Sequence, residues 1–275
     1  MVDEKIRVEL GGVPETLLWP LYNRAAEARR KDPILRDPLV VSIADAIDYP
    51  FEKNFGAPDE CHVVRALRFD EQLKLYLKAF PDATVVALGD GLETQFWRID
   101  NGRIQWLVVD LPETIAVRQR LLPGNERHRL LACSALDLRW MDEVDPSRGV
   151  FITAQGLLMY FQPEEVRNLI VTCARRFPAG RMLFDVIPRW YSEQTLRGYQ
   201  KTGSYSTPRM PFGMDVNEIP TIRSYDPNIV DAREIDPGRG RSFHFKYKIP
   251  VMKRLPVIGN RRTSFVLVTF KPGPR

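Results

Sequence analysis

The chain has 275 residues, 44% of them hydrophobic, and its 40 Lys and Arg residues outnumber 35 Asp and Glu residues by a formal charge of +5. This length suits one large α/β domain. No apolar run approaches the roughly 18 residues of a membrane span, and the start lacks the regions of a signal peptide. We therefore expect a cytoplasmic protein with no membrane partner.

Helix and strand patterns alternate along the chain. Apolar residues at helical spacing predict a helix that ends near Phe80, and a β-branched run at 84–88 predicts a central strand. A second apolar strand ends at Asp110, and Pro112 then begins a helix. Further strands are predicted around 130–133 and at 149–153.

The second half continues this pattern and is interrupted once. Pro163 begins the clearest helix, and apolar strands are predicted at 181–187 and 264–270. Between them, 188–236 loses its periodicity, which indicates an insertion over the strand ends. Residues 241–249 alternate between apolar and polar types, which predicts a half-buried strand. Alternating strands and helices indicate an α/β fold with a mostly parallel, Rossmann-like sheet and helices on both faces.

The carboxyl-terminal stretch is strongly basic. The segment from Pro237 to Arg275, both included, contains ten Lys and Arg residues and no acidic residue. The alternation at 241–249 places these cations on the solvated face of a strand, and no nucleic-acid-binding motif accompanies them. We expect no nucleic-acid partner.

The cysteines and histidines show no pattern typical of a metal site. No C-x-x-C spacing occurs, and no histidine has ligand spacing to another histidine or to a cysteine. Apolar surroundings favour buried thiols. The residues concerned are Cys61, Cys133, Cys173, His62, His128 and His244. We expect no metal.

Polar or glycine residues follow four of the predicted strands: Gly89 and Gly91, Asp110, Asp137, and Gln155. Ligands of open α/β sheets bind at the carboxyl ends of the strands, so these residues can converge on one nucleoside. Asp110 would accept hydrogen bonds from ribose hydroxyls, and Asp137 from an exocyclic amine. The alternatives remain open, since a Gly-x-Gly after a strand is often a plain turn and Asp137 can cap a helix.

Four segments resemble the leucine carboxyl methyltransferase family, especially its bacterial polyketide O-methyltransferase branch. They are 21–25 with 32–38, 65–70, 88–94 and 155–160. The resemblance implies an S-adenosylmethionine-dependent methyltransferase that releases S-adenosylhomocysteine. It also implies a seven-stranded sheet whose last strand is antiparallel. The implied organisation is one domain over 1–275, with a helical cap (1–80), a cofactor-binding core (81–187), a substrate lid (188–240) and terminal strands (241–275).

The same resemblance implies roles for individual residues. Arg65 would hold the cofactor carboxylate, which a guanidinium can grip with two parallel hydrogen bonds. The alternative for Arg65 is a salt bridge with Glu60 or Asp70. The full set implied to bind the cofactor is Arg24, Arg65, Gly89, Asp90, Gly91, Asp110, Leu111, Asp137, Leu138 and Gln155.

Three positions depart from the family motif. The family usually reads Gly-x-Gly-x-Asp-Thr-Arg, whereas this chain has Glu93 and Gln95 in place of the Asp and the Arg. It also has Gln155 where the family usually has Glu. Gln155 removes a charge near the sulfonium, and Asp90 can restore one locally.

Methyl transfer to a carboxylate needs no general base, because a carboxyl group with a reference pKa of about 4 is ionised at neutral pH. We therefore expect no catalytic side chain beyond positioning and desolvation. The expected partner is a small, polyketide-like carboxylic acid. The residues predicted to contact it are Tyr160, Arg189, Tyr205 and Arg209, with Trp190 and Tyr191 as aromatic walls.

Three other functions remain open at this stage. They are methylation of a protein carboxy-terminus, non-catalytic binding of S-adenosylmethionine, and nicotinamide-dependent dehydrogenation, which usually needs a third glycine. The sequence indicates no oligomeric state.

Overall fold

A computed structural model describes residues 5–238 and 240–273. The predicted segments 1–80 and 241–275 extend beyond the described residues at the two ends of the chain. Residues 1–4, part of the start in which we found no signal-peptide pattern, also lie outside the described residues. In chain order, the strands are β1 Ile6–Arg7, β2 Ile47–Asp48, β3 Thr84–Leu88, β4 Gln105–Asp110, β5 His128–Ala132, β6 Val150–Ala154, β7 Arg181–Val186, β8 Gln200–Thr202, β9 Tyr205–Ser206, β10 Ile229–Ile235 and β11 Ser264–Phe270.

Helices separate most of these strands. The α-helices are α1 Leu18–Ala28, α2 Pro38–Ala46, α3 Phe51–Phe55, α4 Cys61–Leu77, α5 Gln95–Ile99, α6 Pro112–Leu121, α7 Pro163–Arg176, α8 Arg189–Leu196, α9 Ile249–Lys253 and α10 Pro256–Asn260. The 3₁₀ segments are Pro14–Leu17, Leu138–Glu143, Pro146–Arg148, Leu158–Tyr160 and Val216–Tyr225, and a π-helical turn spans His244–Lys248.

Seven strands form one sheet in the order β10-β11-β7-β6-β3-β4-β5. Strand β11 runs antiparallel to both neighbours, and the β7-β6-β3-β4-β5 pairs are parallel. The fold class expected from the sequence is confirmed, including the antiparallel last strand. The direction of strand succession reverses between β3 and β6, so this is the switch point where α/β proteins bind ligands.

Both faces of the sheet are buried, which explains why its central strands read as continuous apolar runs. On one face, α7 packs through Val166, Leu169 and Ile170. On the other, α4 contributes Phe69 and Leu73. Helix α7 starts as predicted at Pro163, and the Gln162 backbone N–H donates to Glu165 at its first turn (2.8 Å).

The amino-terminal helices form a separate apolar layer beside the carboxyl ends of β3 and β4. Leu18 and Leu21 of α1 pack with Val40 and Ile43 of α2 and with Phe55 of α3. This layer also includes Leu92 from the loop after β3. The cap is therefore fixed directly to the loop that follows the first strand of the sheet.

Two predictions made beyond residue 188 are wrong. The segment expected to be irregular contains α8, the β8–β9 hairpin and β10, which is the sheet's edge strand. The half-buried strand predicted at 241–249 is replaced by a π-helical turn at His244–Lys248, which runs directly into α9 at Ile249. The spacing was ambiguous because Phe245 and Ile249 are apolar at i and i+4 as well as alternating with polar residues. Within the described residues, no helix is long and apolar enough to cross a membrane.

Candidate active site

The loop after β3 has the tight backbone that its glycines predicted. Gly89 and Gly91 have φ angles of +60° and +51°, a region that other residues rarely adopt. A Cβ atom on Gly89 would lie 2.7 Å from Leu157 Cδ1, and one on Gly91 would lie 2.9 Å from Leu17 Cβ. Each of the two positions therefore requires glycine for two reasons, its backbone conformation and the lack of space for a Cβ atom.

Asp110 joins the ends of β3 and β4. Its Oδ2 accepts a hydrogen bond from the Gly91 backbone N–H (2.8 Å), and its Oδ1 accepts one from the Leu111 N–H (2.8 Å). Each carboxylate oxygen has a second acceptor site. Burial raises the pKa of Asp110, against the effect of these hydrogen bonds. The carboxylate is thus oriented by the backbone and can still accept hydrogen bonds from a ligand.

Arg65 pairs with neither acid that the sequence suggested. Its Nη1 lies 2.9 Å from Asp185 Oδ2, and the Gly156 N–H donates to Asp185 Oδ1 (2.5 Å). The Arg65 Nε is buried and has no hydrogen-bond partner among the described residues. Sequence reasoning missed Asp185, although a lone carboxylate in the otherwise apolar end of β7 was a usable signal.

Two of the departures from the family motif contact each other. Gln155 Nε2 donates to Gln95 Oε1 (3.3 Å), and Gln95 Nε2 donates to Asp70 (3.0 Å). The Gln155 Oε1 is buried, and no group in the part of the chain that the structure describes hydrogen-bonds to it. A neutral amide pair therefore connects the end of β6 to the start of α5, at positions where the family usually has Glu and Arg.

The third departure, Glu93, belongs to a buried ionic network. Its Oε1 lies 2.5 Å from Arg24 Nη1 and 2.9 Å from Arg98 Nη1, and Arg98 also pairs with Asp37 and Asp70. Burial opposes ionisation, but Arg24 and Arg98 lower the pKa of Glu93 to about 2. Arg24 also donates to the Leu92 carbonyl (2.9 Å) and thereby holds the glycine loop.

Asp90 lies between the two glycines and is paired with Arg118 (3.0 Å). Burial raises the pKa of Asp90 to about 7, although Arg118 acts in the opposite direction. Arg118 also donates to the Gly91 carbonyl (2.5 Å). Its ion pair therefore braces the loop from the α6 side.

These groups surround one cavity of about 760 Å³, within the usual range of small-molecule sites. Eight of the ten residues predicted to bind the cofactor line it: Arg24, Arg65, Gly89, Asp90, Gly91, Asp110, Leu111 and Gln155. Asp137 and Leu138 lie outside the lining, and Asp137 accepts from Arg139 Nη2 (2.5 Å). Ser134 and Ala135 line the cavity on that side.

Of the four residues predicted to contact the substrate, Tyr160 lines the cavity. Arg189 lies outside the lining, with its Nη2 2.6 Å from Glu218 Oε1, and Arg209 is exposed. Tyr205 is buried against Phe55 in the cap, with a ring-centroid distance of 5.0 Å. Trp190 and Tyr191 line the cavity.

The cavity also has groups that the sequence did not single out. Asp59, Cys61 and His62 line it, and their potential ligand atoms lie within 4.8 Å of one another. We expected no metal from the spacing of His and Cys residues along the chain, and that spacing does not show that these three side chains lie together. Asn23 Nδ2, however, lies 2.8 Å from His62 Nδ1. Burial and the nearby Arg65 lower the pKa of His62 to about 3.

A glycine loop, an acid at the neighbouring strand end and a cavity at the switch point of a β10-β11-β7-β6-β3-β4-β5 sheet define a nucleoside-binding α/β enzyme. Comparison with known proteins gives its family. The family model described as leucine carboxyl methyltransferase matches residues 18–174, and the chain belongs to this family. It is an S-adenosylmethionine-dependent methyltransferase.

The chain is similar to the tetracenomycin polyketide synthesis O-methyltransferase TcmP of Streptomyces glaucescens, with 29% identity over 81% of this chain and 82% of that protein. It is also similar to the S-adenosyl-L-methionine-dependent methyltransferase dpfgK of Gibberella zeae (27% identity, 63% and 64% coverage). A structure described as a possible exported protein from Bordetella parapertussis shares the fold, with a TM-score of 0.50, 13% identity and 94% and 95% coverage.

Proposed function

We propose that this enzyme transfers the methyl group of S-adenosylmethionine to the carboxylate of a small, polyketide-like acid. The observation that carries the proposal is the convergence of Gly89, Asp110 and Arg65 on one cavity. Asp110 would accept hydrogen bonds from the ribose hydroxyls, and the glycine backbone allows close approach. Leu111 and Ala135 offer apolar surface for the adenine.

The polar groups of the cavity fit the amino-acid end of this cofactor. Arg65 Nε and Gln155 Oε1 are a buried donor and a buried acceptor that have no partners within residues 5–238 and 240–273, which is costly unless a ligand satisfies them. A carboxylate and an ammonium group on one ligand would satisfy both. Asp185, beside Arg65, supplies the negative charge that Gln155 does not.

The chemistry suits an acceptor that is already ionised. The cofactor supplies an electrophilic methyl group when bound, and the chain's residues orient the acceptor and exclude water. His62 is poorly placed as a base. Because Asn23 Oδ1 accepts from the Asp59 N–H (3.3 Å), Asn23 Nδ2 must donate to His62 Nδ1, and the ring proton then lies on Nε2.

The similarity to a polyketide O-methyltransferase supports a small-molecule acceptor. The cavity volume of about 760 Å³ suits such a molecule.

The test uses S-adenosylmethionine labelled in its methyl group, with a panel of aromatic and polyketide-like acids as acceptors. We expect label in a product that mild alkali hydrolyses to methanol, because methyl esters are alkali-labile and methyl ethers are not. Alkali-stable label would contradict carboxyl methylation. Label confined to a protein carboxy-terminus would contradict the small-molecule acceptor.

A further inference from the structure

We infer that Lys201 and Trp19 form a subsite that holds the carboxylate of an aromatic acid at the half-exposed edge of the cavity. This inference rests on the proposed function and specifies its substrate class. Both residues line the cavity, and the Lys201 Nζ lies 4.1 Å from the centroid of the Trp19 ring.

The position of Lys201 is set by its neighbours. It lies in β8, which pairs with β9, and the adjacent Thr202 donates from its hydroxyl to the Asn54 carbonyl (2.8 Å). Trp19 stacks on Phe55, with a centroid distance of 5.8 Å and an interplanar angle of 7°. The ammonium and the indole are therefore held together before a ligand enters.

The charge of Lys201 is not neutralised by a close acid. Arg24, Arg65 and Arg262, which also line the cavity, pair with Glu93, Asp185 and Glu234. No carboxylate in residues 5–238 and 240–273 lies within salt-bridge distance of Lys201. Asp59 and Lys201 attract each other electrostatically without forming a salt bridge. The Asp59 Oδ1 accepts a hydrogen bond from the Cys61 N–H (2.9 Å). The ammonium can therefore pair with an anionic ligand.

Part of the wall of this cavity is apolar and aromatic. Met159, Ile187 and Met210 form a cluster with Tyr160 and Tyr191, and all five line the cavity. Such a wall favours a flat apolar body, and a carboxylate attached to it could reach the ammonium. Arg189 and Arg209, which were expected to supply the substrate's cation, lie outside the lining.

The subsite also distinguishes substrate from product. A carboxylate forms a charge-assisted hydrogen bond with an ammonium, whereas its methyl ester carries no charge and accepts more weakly. Methylation thus weakens this contact and favours product release.

The experiment measures binding of 2-naphthoate and methyl 2-naphthoate to protein saturated with S-adenosylhomocysteine, by titration calorimetry. The variants are Lys201→Met, Lys201→Arg and, as a matched control, Lys74→Met on the exposed face of α4. We expect wild type, Lys201→Arg and Lys74→Met to prefer the acid by about tenfold or more. Lys201→Met should bind acid and ester within about twofold of each other.

A Lys201→Met variant that retains the preference for the acid would overturn the subsite, as would wild-type protein that binds S-adenosylhomocysteine but not the acid. Affinity for S-adenosylhomocysteine should be the same in all four proteins. If wild type does not bind S-adenosylhomocysteine at all, the proposed function fails first, so the two failures are distinguishable.

Discussion

Asp110 shows how a single residue could be identified from the sequence while its partners could not. Its place at the end of an apolar run predicted a strand-end carboxylate next to the glycine loop, and the hydrogen bond from Gly91 agrees with that geometry. Asp185 was recognisable as a lone carboxylate at the apolar end of β7, but its pairing with Arg65 did not follow from the sequence, and Lys201 becomes significant only through its distant partner Trp19. Sequence spacing carries no information about such contacts.

Replacement of Asp110 by Asn should weaken S-adenosylhomocysteine binding by about 10- to 100-fold, the usual effect of losing hydrogen bonds to a charged acceptor. The Asp137→Asn variant serves as the control, because the Asp137 side chain lies outside the cavity lining and is paired with Arg139. It should change the dissociation constant by less than about twofold. Titration calorimetry measures both. Equal effects of the two variants would contradict the assignment of Asp110.

Glu93 predicts a pH dependence of stability. Its pKa is lowered from an ordinary 4.5 to about 2 in the folded state. Its ionisation therefore contributes stability that is fully present above the ordinary pKa and is lost as the pH falls through about 2. The free energy of unfolding of the Glu93→Gln variant should be about 3–5 kcal/mol lower than that of wild type at neutral pH, because Arg24 and Arg98 lose a buried partner.

The difference between wild type and Glu93→Gln should shrink as the pH falls toward about 3. Urea unfolding followed by circular dichroism at a series of pH values measures it. A difference that is constant with pH would show that Glu93 is not ionised in the folded protein.

At the scale of elements, periodicity predicted the strands and helices of the core well, because a single pattern applied to each. The prediction failed at 241–249, where i,i+4 and alternating patterns coincide, and at β10, whose exposed edge position weakens its apolar signal. The organisation of the lid and terminal segment depends on packing against the rest of the chain, which a local pattern does not encode.

The contact between Gln95 and Gln155 predicts that these two positions are energetically coupled. Gln155→Glu should destabilise the fold because it buries a new negative charge, and Gln95→Arg should do so because it adds a buried cation beside Asp70, which already pairs with Arg98. The double variant should lose about 1–3 kcal/mol less free energy of unfolding than the sum of the two single losses, because the two new charges can then pair. Urea unfolding of wild type, the two single variants and the double variant measures this double-mutant cycle. Additive effects would show that the two residues do not interact.

At the scale of the whole molecule, the cap, the sheet and the carboxyl-terminal segment all contribute residues to one cavity. Trp19 comes from α1, Asp110 from β4, and Phe245 from the π-helical turn. A ligand that contacts all three regions must stabilise the folded state relative to the unfolded chain.

S-adenosylhomocysteine at about 100 times its dissociation constant should therefore add about 2.7 kcal/mol of stability. For a chain of this size, we expect the melting temperature to rise by about 5–10 °C. Differential scanning calorimetry measures the shift, with the reduced nicotinamide dinucleotide as a control ligand. A comparable rise with the dinucleotide would contradict the assigned cofactor.

The central claim is that the adenosine of the cofactor lies across the ends of β3 and β4. A crystal structure with S-adenosylhomocysteine tests it most directly. We predict ribose hydroxyls within hydrogen-bond distance of the Asp110 carboxylate and the amino-acid carboxylate against the Arg65 guanidinium. A ligand bound elsewhere, or a cavity that stays empty at saturating concentration, would contradict it.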